Sequence, residues 1–276
     1  MEFRLQPAPE QPKGWTPTPK LAFDKVLVPS RPLSLILTLE YVMSVPVVIA
    51  LGGNLGDVRS TGEAALALLH DTPGLAVERT SRWYSTAPVG CEGRFLNAAA
   101  LLHSELTPML LLQRLQEIET GQGRVRTGHW TPRPLDLDIV LFGQWQVDHP
   151  QLQLPHPAAW SRRFVLDPAC EFAGEMVHPG FGLTLDELRV RLLLRPLLVA
   201  WSGEFTRSRV TEGAVQARFG TQVRWVDSTE AGVIRFVPRI THRKSFEIAV
   251  PNHLDEARQI VIQTLISLLD EPVVQS

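Results

Sequence analysis

The sequence lacks the features that mark several classes of protein. Its two cysteines, Cys91 and Cys170, are too few and too far apart for a metal knuckle, and free thiols are the expected state. The net charge of −2 gives no overall argument for binding nucleic acid or a membrane surface. No secretory signal is evident, because Met1 is followed by a polar, proline-rich stretch instead of a basic end and an apolar core. We therefore expect a cytoplasmic protein.

Long uninterrupted apolar runs are also lacking. Residues 33–51 are rich in Leu, Ile and Val, but Glu40 and Pro46 interrupt them, so we do not interpret them as a membrane span. Before them, residues 1–32 contain seven prolines and have no apolar periodicity. Such a composition cannot bury enough surface to offset the entropy of ordering, which predicts a disordered extension over residues 1–43.

A pair of carboxylates within an apolar run is the most informative feature that is present. Residues 133–142 read Arg-Pro-Leu-Asp-Leu-Asp-Ile-Val-Leu-Phe. On a strand, Asp136 and Asp138 would point to the same face. The other face, directed into a core, would then carry Leu135, Leu137 and Ile139. Two negative charges so close repel each other unless a cation or a proton lies between them, and oxygen ligands favour Mg²⁺. Spacing alone leaves open a solvated edge strand with two surface aspartates.

Basic residues surround this pair in the sequence. Those between positions 124 and 163 include Arg124, Arg126, Arg133, His156, Arg162 and Arg163. Metal ions bridge phosphate oxygens while guanidinium groups bind the remaining oxygens bidentately, so the cluster favours a phosphate-handling site. The alternative is that each arginine merely pairs with an aspartate or with solvent.

Several blocks of sequence, taken in order, extend this interpretation. They are Val-Val-Ile-Ala-Leu-Gly-Gly-Asn-Leu-Gly-Asp (47–57), Tyr-Ser-Thr-Ala-Pro-Val-Gly (84–90) with Phe-Leu-Asn-Ala (95–98), Gln-Glu-Ile-Glu (116–119) with Gly-Arg-Val-Arg (123–126), Trp130 through Asp138, and Leu-Pro-His-Pro (154–157) with Arg-Arg-Phe-Val-Leu (162–166). Together they resemble the 6-hydroxymethyl-7,8-dihydropterin pyrophosphokinase family of folate biosynthesis, over about residues 45–195. No single block is specific, but the ordered set is.

This resemblance implies an activity. The β- and γ-phosphates of ATP would pass as a unit to the hydroxymethyl group of a reduced pterin, with release of AMP. Asp136 and Asp138 match the family's metal ligands and would hold two Mg²⁺ ions on the triphosphate, while Arg124 and Arg133 would act with them in catalysis. We expect loss of either aspartate to abolish AMP formation. The stability of the fold should stay the same or increase, because removing one aspartate relieves the repulsion between the two charges.

The resemblance also assigns each substrate its own residues. The pterin set is Thr86, Val89, Phe95, Asn97, Trp130 and Phe164. In it, aromatic faces would flank the heterocycle, and the Asn97 amide would both donate and accept at its polar edge. The ATP set is Gln116, Glu119, Arg126, His129, Arg133, His156 and Arg162.

Some positions depart from the family pattern. His129, which is only partly charged near neutral pH, stands where an arginine usually precedes the tryptophan. Gly53, Thr131 and Pro134 also differ from the usual residues. The alternative function is therefore a catalytically weakened module that binds nucleotide or pterin and carries a C-terminal oligomerisation domain. Retention of both aspartates favours the enzyme.

Residues 44–195 are expected to form an α+β domain of the ferredoxin-like type, which the resemblance makes a pyrophosphokinase domain. Thr107 would cap its second helix, with Pro108 at the first helical position. The patterns predict a strand at 46–52, a helix at 58–71, strands at 77–85 and 95–104, a helix at 108–120, and then the aspartate strand.

Residues 196–276 are predicted to form a small α/β accessory domain of unknown role. Strand-like runs occur at 197–201, 223–226, 233–237 and 246–250, and a helical stripe extends from Asn252 to Leu269. The segment has no glycine-rich phosphate loop with lysine and no paired acids at metal spacing. We expect it to pack against the first domain or against a second copy of the chain in a homodimer, to carry no chemistry, and to be dispensable for measurable activity.

Overall fold

The structure is a computed structural model. The described residues are 44–88, 93–124, 132–202, 209–230, 233–237, 246–251 and 254–275. The predicted N-terminal extension, residues 1–43, lies outside them.

The first unit follows the predicted order of elements. Its elements are β1 (Val45–Gly53), α1 (Val58–His70), β2 (Leu75–Thr80), β3 (Trp83–Thr86), β4 (Phe95–Ser104), α2 (Pro108–Gly121) and β5 (Asp136–Phe142). Side-chain caps fix where both helices begin. Asp57 accepts from the Ser60 N–H at 3.1 Å, and Thr107 accepts from the Leu110 N–H with Pro108 following it.

The predicted strand at 77–85 is in fact two strands, and Ser81 marks the break. The Ser81 N–H donates to the carbonyl of Ala99, and the Ser81 hydroxyl oxygen accepts from the Ala99 N–H, both at 2.9 Å. The side chain therefore replaces a carbonyl in the ladder, and the chain bends while β2 and β3 both stay paired with β4.

A middle segment connects the two units. It comprises β6 (Val147–His149), β7 (Leu152–Leu154), a single 3₁₀ turn at Ala159–Ser161, α3 (Arg163–Ala173), β8 (Val177–His178), β9 (Leu183–Thr184) and α4 (Leu185–Leu193). Thr184 and Glu187 form a capping box that starts α4.

The C-terminal unit contains β10 (Leu197–Trp201), α5 (Arg209–Phe219), a 3₁₀ turn at Gly220–Gln222, β11 (Val223–Trp225), β12 (Ile234–Val237), β13 (Glu247–Ala249), α6 (Leu254–Leu269) and β14 (Val273–Gln275). The four predicted strands form a parallel sheet in the order β11-β10-β12-β13. The sequence patterns did not predict α5 or β14. β14 leaves this unit and pairs with β3, so that the first sheet has the order β14-β3-β4-β1-β5, with β2 also on β4.

The first sheet is covered on both faces. On β1, Val47 and Ile49 point into a core shared with α1 and α2, whereas Val48 points into a second core. That second core contains buried side chains from α3, α4, α6 and the parallel sheet. The C-terminal unit therefore packs on the face of the first sheet that is opposite to α1 and α2.

Among the described helices, none combines the length and the apolar character that crossing a membrane requires.

Candidate active site

The face of the first sheet that is opposite to α1 and α2 forms the floor of a cavity of about 1030 Å³. In one row across the sheet, Asn97 on β4 is paired with Gly52 on β1, and Gly52 is paired with Asp136 on β5. Two residues before Gly52 on β1, Ala50 is paired with Asp138 on β5. Alternate residues of a strand share a face, and all five of these residues line the cavity.

Two guanidinium groups hold the carboxylate of Asp136. Arg133 Nη1 donates to Asp136 Oδ2 at 2.7 Å, and Arg124 Nη1 donates to Oδ1. The backbone of Arg133 is tied to Asn54, since its N–H donates to Asn54 Oδ1 and its carbonyl accepts from the Asn54 N–H, each at 3.0 Å. The Nε of Arg133 is buried without a partner among the described residues.

Arg124 has a second anchor in Glu119, which is buried in α2 with 2% of its surface exposed. Glu119 Oε1 accepts both from Arg124 Nη1 and from the Leu137 N–H, the latter at 2.7 Å. Burial opposes the charge of Arg124, but Asp136 and Glu119 outweigh it and raise the pKa of the guanidinium above its ordinary value. Arg124 therefore remains a fixed cation at the edge of β5.

Asp138 is more open to the cavity than Asp136, with 45% of its side chain exposed. His156 Nε2 lies 3.9 Å from Asp138 Oδ2, beyond direct hydrogen bonding. The Ala158 N–H donates to His156 Nδ1 at 3.2 Å, which places the hydrogen of the neutral ring on Nε2. Burial, aided by Arg162, lowers the pKa of His156 to about 3. His156 is therefore a neutral donor at the Asp138 side of the cavity.

Arg162 carries a charge that the protein compensates incompletely. Burial lowers the pKa of its guanidinium, and the attraction of Asp138 and Asp136 does not fully offset this. Its Cζ also lies 5.6 Å from the ring centroid of Phe164. A half-buried guanidinium beside the cavity is suited to binding an anion such as a phosphate.

Two strands away from Asp136, the first sheet supplies polar but uncharged groups to the cavity. Asn97 Nδ2 donates to Thr86 Oγ1 at 2.8 Å, and both side chains are buried. Phe95 and Phe164 line the same space. A Cβ at position 52 would lie 2.9 Å from Asn97 Oδ1, so Gly52 leaves the amide its place. An amide, a hydroxyl and aromatic faces are the groups that a flat, polar heterocycle requires.

The chemistry of the acidic pair is suited to Mg²⁺. Asp136 and Asp138 supply hard oxygen ligands on one face, and Mg²⁺ commonly takes one or two carboxylates and completes its shell with water and substrate phosphates. No group of three or more His, Cys, Asp or Glu side chains gathers in the described part of the chain.

Comparisons with known proteins agree with this geometry. The family model for 7,8-dihydro-6-hydroxymethylpterin-pyrophosphokinase (HPPK) matches residues 48–174. A Bacillus subtilis relative, named 2-amino-4-hydroxy-6-hydroxymethyldihydropteridine pyrophosphokinase, is 39% identical over 146 residues, which cover 52% of this chain and 87% of the relative. The chain belongs to the HPPK family. It is thus a pyrophosphokinase.

Two further HPPK relatives of the same name give a consistent result. The Pseudomonas aeruginosa protein is 42% identical over 144 residues, covering 51% of this chain and 88% of the relative. The Synechocystis protein is 39% identical over 142 residues, covering 51% of this chain and 73% of the relative. Each match spans about half of this chain, and the family model ends before α4.

The structure brings most of the predicted HPPK site residues into one cavity. Those that line it are Thr86, Phe95, Asn97, Arg124, Arg133, Asp136, Asp138, His156, Arg162 and Phe164. Gln116 and Glu119, both described, are not among the lining residues, and Glu119 instead holds Arg124 from behind. Arg163 also points away, into a buried ion pair with Asp167 at 2.8 Å. Val89, Arg126, His129 and Trp130 lie outside the described residues, so their assignments stay predictions.

Sequence reasoning missed a whole wall of the HPPK cavity. The lining also includes Glu247, Ile248 and Ala249 on β13 and Ile260, Gln263, Thr264 and Ser267 on α6. A polar stripe on an amphipathic helix has the same pattern whether it faces solvent or a cavity, so the sequence held no signal that distinguished the two. The C-terminal unit packs against the first domain, as one of the two predicted arrangements has it, and that it carries no chemistry stays a prediction.

Proposed function

We propose that this enzyme transfers the terminal pyrophosphate of ATP to 6-hydroxymethyl-7,8-dihydropterin in folate biosynthesis, in a Mg²⁺-dependent reaction that releases AMP. The observation that carries the proposal is the single cavity in which an uncharged, aromatic end and an end with paired aspartates and arginines share one sheet face. Its volume of about 1030 Å³ lies at the upper end of ordinary ligand pockets, which suits two substrates bound together.

The pterin ring belongs at the end formed by Asn97, Thr86, Phe95 and Phe164. The buried Asn97 amide gives the heterocycle both a donor and an acceptor, and its bond to Thr86 sets the orientation of the amide. Val89 and Trp130 are assigned to this end by the family resemblance. The hydroxymethyl group would then extend across Gly52 toward the aspartate pair.

The triphosphate belongs at the other end, beside Asp136, Asp138 and the arginines. Two Mg²⁺ ions held by the aspartates would neutralise phosphate charge and would help to place the attacking hydroxyl. Arg124 and Arg133 orient Asp136, and Arg162 adds a cation for the phosphate oxygens. The Nε2–H of His156 donates to a phosphate oxygen without first gaining a proton, since its pKa is about 3.

The bond changes of the reaction balance without a further reactant. The pterin hydroxyl oxygen forms a bond to the β-phosphorus of ATP. The bond from that phosphorus to the oxygen it shares with the α-phosphorus breaks, AMP leaves, and the hydroxyl proton is released. The arginines contribute by positioning the groups and by stabilising charge.

Finer features of the architecture remain proposals. The order strand-helix-strand-strand-helix-strand, in which β2 and β3 count as one strand bent at Ser81, supports a ferredoxin-like pyrophosphokinase domain at 44–195, with β5, β1, β4 and β3 side by side. We assign residues 196–276 to an accessory domain. A homodimer through that domain and a cytoplasmic location are consistent with the sequence.

One assay tests the proposal. Purified protein is incubated with ATP, MgCl₂ and the reduced pterin, and both AMP and pterin diphosphate are quantified. We expect the two products to form in equal amounts. Omission of Mg²⁺ or of pterin, and the Asp138→Asn variant, should each prevent AMP formation. Production of ADP instead of AMP, or full activity in the presence of excess chelator, would contradict it.

The alternative is the catalytically weakened binding module, which His129 in place of the usual arginine favours. That alternative predicts saturable binding of ATP and pterin without AMP formation. The His129→Arg variant discriminates between the two, because it should restore turnover only if the loop residue is what limits the reaction.

A further inference from the structure

We infer that α6 of the C-terminal unit is part of the substrate site, and that its residues Ile260, Gln263, Thr264 and Ser267 form the wall that binds the pterin heterocycle on the side opposite the sheet. This inference rests on the proposed function, because it names the substrate that this wall contacts. The family model ends at residue 174, so the wall is an addition to the matched part of the chain.

The periodicity of α6 places these four side chains together. They are spaced i, i+3, i+4 and i+7, which puts them on one face of a helix, and all four line the cavity. The other face is apolar and fully buried: Val261, Leu265 and Leu268 each have 0% exposure. Burial of that face fixes the rotation of α6, so the polar stripe has a defined direction.

Two contacts fix the end of α6 against the pterin end of the cavity. Asp270, just after the helix, accepts from the Ala87 N–H at 2.7 Å. β14 then pairs with β3, with Val273 opposite Ser85 and Val274 opposite Tyr84. β3 ends in Thr86, the hydroxyl partner of Asn97. The Ser267 end of the stripe is thus tied to the strand that carries the amide-binding hydroxyl.

Packing on a third element brings Phe164 into the same wall. α6 contacts α3, and the Phe164 and Ile260 side chains both pack on the core that these helices share. Phe164 and the stripe therefore come from two helices in contact, and both line the cavity. The stripe is placed to contact a ring that lies against Phe164.

The chemistry of the stripe selects the heterocycle and not the phosphates. Gln263, Thr264 and Ser267 offer an amide and hydroxyls without charge. The Ser267 hydroxyl donates to the Gln263 backbone carbonyl at 3.2 Å, so it offers the cavity an acceptor. The cations suited to phosphate lie elsewhere, on Arg124, Arg133 and Arg162. Uncharged donors and acceptors fit a neutral ring that is rich in nitrogen and carbonyl groups.

The test compares cavity-facing variants with a matched variant on the same helix. Thr264→Val and Gln263→Met remove hydrogen bonds while nearly keeping side-chain volume, and Gln259→Met makes the same change at an exposed position of α6. Loss of one such bond should raise the KM for pterin and the Kd of pterin alone about three- to tenfold. The KM for ATP, the kcat and the thermal midpoint should stay close to wild type, and Gln259→Met should change nothing.

The outcomes separate this inference from the proposed function. An active wild type whose pterin KM and Kd are unaffected by both variants overturns the inference and leaves the function standing. A rise in the ATP KM alone also overturns it. If the wild type forms no AMP but binds pterin in a calorimeter, and Thr264→Val weakens that binding, the wall is supported while the proposed reaction fails. A wild type that binds no pterin overturns both.

Discussion

Asn97 and Asp136 line one cavity from the two strands that flank Gly52, in a single cross-strand row. Neighbouring strands are about 4.8 Å apart, so the two Cα atoms are separated by roughly 10 Å. The register of the sheet sets this distance, and no loop intervenes. A heterocycle bound at Asn97 and a phosphate bound near Asp136 are thus held at a fixed separation, which is how a positioning catalyst operates.

The role of Gly52 can be tested directly. Its replacement by alanine places a Cβ 2.9 Å from Asn97 Oδ1, so the amide must move. We expect Gly52→Ala to raise the pterin KM about tenfold or more, because a buried polar contact is lost. Gly213→Ala on α5, where a Cβ meets nothing within 4 Å, is the control and should leave the kinetics unchanged. Equal pterin KM values for Gly52→Ala and wild type would contradict the placement of the ring.

The two aspartates should differ in stability although both are needed for turnover. Asp136→Asn removes the charge that pairs with Arg124 and Arg133, whose side chains are only 18% and 22% exposed. Buried cations without their partner destabilise by about 1–3 kcal/mol. The half-exposed Asp138 forms no arginine pair with any residue that the structure describes, so Asp138→Asn should keep the wild-type urea midpoint. Both variants should lose AMP formation. Equal unfolding free energies for the two variants would show that the arginines do not depend on Asp136.

For Asp136 this prediction differs from the expectation from sequence that removing either aspartate would hold or raise stability, whereas for Asp138 the two agree. The sequence correctly placed Asp136 and Asp138 on one face of β5, with Leu135, Leu137 and Ile139 buried on the other, because a period of two depends only on local geometry. It could not show that two guanidinium groups neutralise Asp136, because the contacts of Arg124 depend on how α2 and β5 pack together.

Long-range pairing also limited what could be predicted elsewhere. The four strands of the C-terminal sheet follow from short apolar runs, but the final strand, β14, has two exposed valines and gains its conformation from β3, which lies far away in the sequence. Glu119 was assigned to ATP by its position in a motif. Burial under Arg124 gives it a positioning role that the motif does not encode.

Glu119 should therefore affect catalysis through Arg124. Glu119→Gln keeps an oxygen for the Leu137 N–H but removes the charge that holds the guanidinium. We expect kcat to fall while the pterin KM stays near wild type, and Glu119→Asp to restore part of the kcat. Glu117→Gln, the same change at an exposed position of α2, serves as the control. A Glu119→Gln enzyme with wild-type kcat would rule out this role.

His156 should make the protein less stable in acid. The folded chain holds the pKa of His156 at about 3, well below the ordinary value of about 6.5, so the unfolded chain binds more protons between these values. The contribution to stability is complete above pH 6.5 and is lost progressively as the pH falls toward 3. His156→Gln should flatten this decline in urea unfolding, and the exposed His70→Gln should not. An unchanged slope for His156→Gln would place its pKa near the ordinary value.

Truncation tests whether the C-terminal unit can be removed. The sequence predicted that a chain ending near residue 195 would lose stability or change its oligomeric state, yet retain measurable transfer. Such a chain would uncover the α3 and α4 surfaces against which the fully buried Leu265 and Leu268 pack, so we expect a much lower thermal midpoint. A chain ending at Glu271 removes only β14 and should lose about 1–3 kcal/mol, as a short edge strand does. If the chain ending near 195 unfolds at the wild-type midpoint, the two units fold independently; if it also keeps the wild-type pterin KM, α6 has no part in the site.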